Sequence, residues 1–74
     1  MANVRSFEPA DLDLARPHSD TDARIGTIIV NGEKFIQIDT FGSKDRAIPG
    51  KISQSIRLSK SAFDELTALG KSFF

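Results

Sequence analysis

The rhythm of apolar and polar positions changes twice along the chain, near residue 25 and again near residue 59. Ile25-Gly26-Thr27-Ile28-Ile29-Val30 is a β-branched apolar run, and Glu33 to Phe41 alternates around Phe35, Ile36 and Ile38. Asn31-Gly32 lies between them. A type I′ turn needs positive φ at both central residues, so this spacing predicts a β-hairpin. Residues 51–58 alternate Ile52, Gln54, Ile56 and Leu58 against Lys51, Ser53, Ser55 and Arg57, the period of a half-buried strand. After Ser59 or Ser61, either of which can cap, the period becomes helical, with Ala62, Leu66, Leu69 and Phe73 in one stripe and Phe63 beside it. Gly70 either ends this helix or weakens its last turn.

Between the second and third strands, Gly42 to Asp45 and Pro49-Gly50 are turn chemistry, with room for a short strand around Arg46-Ala47-Ile48. The fold class expected is α+β: an antiparallel meander of three to four strands (β-β-(β)-β-α) with a C-terminal amphipathic helix over one face. The domain occupies 25–74. Residues 1–24 form a flexible acidic arm, broken by Pro9, Pro17 and Ser19-Asp20-Thr21-Asp22, with one helical turn or two possible after Ser6.

Charge sharpens that division. Residues 1–24 hold three arginines against five carboxylates, a net of −2, and the remainder is +2. Between 44 and 60 stand Lys44, Arg46, Lys51, Arg57 and Lys60 against Asp45 alone. A chain of 74 residues without cysteine has neither disulfides nor thiolate zinc sites to reinforce a small core, so a homodimer is expected. The absence of an apolar run of spanning length predicts no membrane association and a cytoplasmic location.

If the helix covers the side bearing Ile36, Ile38, Ile52, Ile56 and Leu58, the opposite side carries Phe35, Gln37, Asp39 and Phe41 beside Lys51, Ser53, Ser55 and Arg57. Aromatic rings can stack bases, cations can follow phosphates and hydroxyls can donate to them. Asp39 opposes this, because a carboxylate repels phosphate. The plain alternatives are a solvated polar sheet face or aromatics in a subunit interface.

Catalytic chemistry is hard to find. His18 stands beside Pro17 in the arm, there is no cysteine nucleophile, and no serine has a recognisable base. Gly42-Ser43-Lys44 lacks the spacing of a phosphate-binding loop. Asp39 and Asp45 supply too few oxygens for a cation. No enzyme activity, metal or cofactor is expected.

Asn31-Gly32-Glu33-Lys34-Phe35-Ile36-Gln37-Ile38 resembles the Gly-Lys-then-alternating strand of the positive-cofactor-four family of single-stranded-DNA-binding transcriptional coactivators. Pro49-Gly50-Lys51 is similar to that family's Pro-Gly-basic turn. Leu58, Phe63 and Leu66 resemble its Leu-x4-aromatic-x2-Leu start of the C-terminal helix. The resemblance spans about residues 31–69. Two extra residues separate Pro-Gly from Leu58, Ser55 stands at a family glycine, and the basic leader is replaced by the acidic arm. It implies a homodimer with a curved four-stranded sheet that takes single strands in a groove, with Lys34, Phe41, Lys51 and Arg57 at matching positions.

The expected function is therefore a non-enzymatic module binding single-stranded DNA or RNA through Lys34, Phe35, Phe41, Lys44, Arg46, Lys51, Ser53, Ser55 and Arg57. Phe63, Leu66, Leu69 and Phe73 are assigned to the core or dimer side of the helix. The alternative is a small interaction or inhibitor protein, of the kind phages, plasmids and other mobile elements direct at a host protein, using the arm and a sheet edge.

Overall fold

The computed structural model describes residues 1–12, 16–41 and 51–74. Four strands, β1 (Ala2–Val4), β2 (Ala23–Val30), β3 (Glu33–Phe41) and β4 (Ile52–Leu58), precede one helix, α1 (Lys60–Phe73). The sheet order is β1-β4-β3-β2, and the architecture is α+β.

The hairpin forms as its turn chemistry requires. Asn31 and Gly32 have φ of 51° and 80°, the left-handed values of a type I′ turn. Its register runs without a slip from Ala23 opposite Thr40 to Val30 opposite Glu33. β4 adds antiparallel to β3, with Ile38 opposite Ile56 and a bulge at Thr40/Phe41.

The sheet is mixed rather than a pure antiparallel meander. Ala2, Asn3 and Val4 pair in parallel with Ile56, Arg57 and Leu58. The Ser59 N–H extends that contact by donating to the Val4 carbonyl at 3.1 Å. This covers the outer edge of β4, which would otherwise leave backbone groups unpaired. The sheet thus draws on residues on both sides of the boundary expected at residue 24. A strand at Arg46-Ala47-Ile48 would lie outside the described residues.

The residues after β1 follow α1. The Ser61 hydroxyl donates to the Arg5 carbonyl at 2.9 Å, and the Phe7 N–H donates to Glu65 Oε2 at 2.7 Å. Phe7, Pro9, Ala10 and Leu12 then form a groove of about 540 Å³ with Leu66 and Leu69. The helical turn expected after Ser6 is absent from residues 6–12. The Phe7 N–H is engaged by Glu65 of the helix instead.

Ser59 is the cap of α1, in extended geometry (φ −69°, ψ 169°), and its Oγ accepts from the Ala62 N–H at 3.2 Å. Starting at Lys60, the helix has no carboxylate in its first turn, and Asp64 pairs with Lys60 one turn back, Nζ to Oδ2 2.6 Å. Gly70 does not stop the helix, which continues to Phe73. Leu58, Ala62 and Phe35 are the buried apolar residues among those described. The helix contacts β3 and β4, and Leu58 is buried while Ile25, Ile29, Ile52 and Ile56 stay exposed, so the cover expected over the whole sheet face is partial. Phe63, Leu66, Leu69 and Phe73 are exposed. No helix is long and apolar enough to cross a membrane.

Candidate nucleic-acid interface

The register sorts the sheet into two unlike faces. One face carries two polar rows: Arg24, Asp39 and Ser55 opposite one another, then Gly26, Gln37, Arg57 and Asn3. The other carries Ile25, Ile38, Ile56 and Ala2, then Thr27, Ile36, Leu58 and Val4, with Ile29 opposite Lys34 at the end. Strict alternation along each strand produces this separation, since successive side chains point to opposite faces.

On the polar face the side chains bind one another across strands. Arg57 Nε donates to Gln37 Oε1 at 2.8 Å. Gln37 Nε2 donates to Asp39 Oδ1 at 3.0 Å and to Ser55 Oγ at 3.3 Å. The Ser55 hydroxyl donates to Asp39, and Arg24 Nη2 reaches Asp39 Oδ2 at 3.2 Å. The Ser55 and Gln37 bonds, with Arg24 adding to them, hold the Asp39 carboxyl below its ordinary value. Hydrogen bonds to the ionised form account for that direction. Asp39 is buried, at 5% exposure.

Two hollows flank Gln37. One of about 270 Å³ is bordered by Met1, Asn3, Ser55 and Arg57, and one of about 240 Å³ by Arg24, Gly26, Ile28 and Asp39. The second opens because Gly26 puts no side chain beside Gln37, and nothing stands within 4 Å of where a Cβ would be. Each hollow has one arginine. Both guanidiniums keep donors beyond those used in the network, in the fork that suits phosphate.

The residues singled out from sequence separate accordingly. Ser55 and Arg57 lie together on the polar face, and Phe41, half-buried, ends β3 at the bulge. Lys51 precedes β4 and Ser53 lies within it, both exposed. Lys34 alternates onto the apolar face, opposite Ile29. Phe35 is no open stacking platform: it is 5% exposed, and the Arg5 guanidinium sits 5.3 Å from its ring centroid. Arg5 is also paired with Glu33, which raises the arginine and lowers the carboxylate from their ordinary values. Lys44 and Arg46 lie outside the described residues. Sequence reading missed Arg24 and Asn3, both assigned to the arm, since only the pairing of β1 and β2 brings them to the site.

Among the described residues no three His, Cys, Asp or Glu side chains gather as a metal site. Comparison with family models, curated proteins and solved structures gives no match to this chain.

Proposed function

We propose that the chain is a non-enzymatic binding module whose polar sheet face takes single-stranded nucleic acid, with a homodimer as the working unit. The observation that carries this reading is the state of Asp39. Its carboxylate is occupied by Ser55, Gln37 and Arg24, so the repulsion expected from sequence is offset within the protein. Arg24 and Arg57 then stand over two hollows, each held by a side-chain bond, as donors with limited freedom to lose. Phosphates would meet these arginines and Lys51, with Phe41 the aromatic nearest the path. Phe35 contributes only if Arg5 is displaced.

The test is fluorescence anisotropy of a labelled single-stranded oligonucleotide and its duplex. Binding that prefers the single strand and weakens with salt supports the reading. Equal or absent binding at micromolar protein and low salt defeats it.

Exposed apolar side chains support the dimer: Ile25, Ile29, Leu66, Leu69 and Phe73 all stand exposed, and such patches mark protein contacts. They also give weight to a second reading, an interaction or inhibitor protein. Capture of a defined protein partner, with no affinity for oligonucleotide, would select it.

A further inference from the structure

We infer that two copies of this chain join through their β2 strands, antiparallel about a two-fold axis at Thr27, to make one continuous eight-stranded sheet. The inference rests on the homodimer reading and specifies where the copies meet.

The two edges of the sheet are unlike. Beyond β4 lies β1, a three-residue strand that closes that side. β2 is the other edge, eight residues long, and among the described residues no strand pairs with its outer side. Long apolar edges recruit further strands, and native chains usually blunt them with lysine, proline or a bulge. β2 has none of these. Its register with β3 is unbroken, and Arg24 is its one charged residue.

The sequence of β2 complements itself. With a two-fold axis perpendicular to the sheet, opposed residues must share a face, so the axis has to pass through a residue. Placing it at Thr27 sets Thr27 against its own copy and Ile25 against the partner's Ile29, and the reverse. These three residues alternate onto the apolar face. Ile25 and Ile29 are 69% and 65% exposed in the single chain, more than Ile52 and Ile56 of β4, at 40% and 37%. Apolar β-branched and Thr–Thr pairs of this kind stabilise antiparallel ladders. On the polar face the same register sets Arg24 against Val30 and Gly26 against Ile28, so no like charges meet. An axis at Gly26 instead pairs Ile25 with Thr27 and Ile29 with Ala23, and an axis at Ile28 carries Ile25 past the strand into the Asn31 turn.

The neighbouring surface fits this axis. Thr27, Ile29, Lys34, Ile36, Leu58 and Phe63 border a groove of about 390 Å³ beside the edge. Two-fold pairing makes the grooves of both copies adjacent, so that the exposed Phe63 of each chain faces a shared apolar floor. On the opposite side the two polar faces become one surface with Arg24 near its centre.

Single-cysteine cross-linking tests the register directly, because the chain has no cysteine of its own. Thr27→Cys should form a covalent dimer on mild oxidation, since directly opposed Cα atoms lie about 4.5–5.5 Å apart. Ile29→Cys alone should not, because its copies would stand roughly 14 Å apart along the strands. A mixture of Ile25→Cys and Ile29→Cys chains should cross-link to each other. Sedimentation of the unmodified chain accompanies this, with Ile25→Lys/Ile29→Lys expected to shift it to monomer. A stable dimer that fails to cross-link at Thr27 overturns the β2 pairing and leaves the dimer reading standing. A monomer at all concentrations overturns both and leaves the edge to a foreign strand.

Discussion

The two faces of this sheet resolve their chemistry in opposite ways. On the polar face the groups satisfy one another: Asp39 is occupied by Ser55, Gln37 and Arg24, and Gln37 holds Arg57. At its far end Phe35 lies beneath Arg5. On the apolar face Leu58 is buried, while Ile25, Ile29 and the stripe Leu66, Leu69 and Phe73 remain exposed. A polar network can be completed within one chain of this size, but apolar surface needs area to cover it, and 74 residues provide little. The polar face is therefore satisfied within the chain, and the apolar face is left partly uncovered.

That contrast is broken most forcefully at the one large side chain buried on the polar side. Phe35→Ala should cost about 3 kcal/mol or more in denaturant unfolding, the usual penalty for emptying a buried aromatic site. Phe63→Ala, on the half-covered side, should cost distinctly less in the single chain while weakening self-association. A smaller effect is expected where the sheet joins the helix. Ser59→Ala removes the acceptor of the Ala62 N–H and should cost about 1 kcal/mol. Smaller again, Ile29→Ser should change the stability of the isolated chain by less than about 0.5 kcal/mol, as surface changes do.

The smallest effect appears only in acid. Asp39 and Glu33 are both lowered in the folded chain, from 3.8 and 4.5. Groups with depressed folded values contribute stability that is fully present above those ordinary values and lost as pH falls through the folded ones. Thermal unfolding followed downward from pH 5 should show stability declining below about 4. Asp39→Asn should make that decline shallower.

Much of the fold was legible because its signals are local. Asn31-Gly32 demands the hairpin, the alternation of Ile52 to Leu58 demands a strand, and Ser59 followed by a helical stripe marks a helix start. β1 was not legible. Ala2-Asn3-Val4 has no periodicity, and its parallel pairing depends on residues 54 positions away. Once β1 is in place, Asn3 borders the hollow beside Arg57 and Arg5 reaches Phe35, so the same missed strand hid part of the site. Alternation correctly put Gln37, Asp39, Ser55 and Arg57 together. It also shows that Lys34 lies on the other side, although the resemblance had grouped it with Arg57. Partial cover by the helix could not be read from its stripe, because the stripe records which side is apolar and not what lies against it.

The central claim is that the polar face, through Arg57, meets the phosphates of a single strand. The direct measurement is the salt dependence of oligonucleotide affinity for the natural chain and for Arg57→Ala, followed by fluorescence anisotropy. The account predicts about a tenfold loss of affinity and a salt slope reduced by about 0.7 for each phosphate contact removed. Unchanged affinity and slope in Arg57→Ala, with the fold intact, would contradict it.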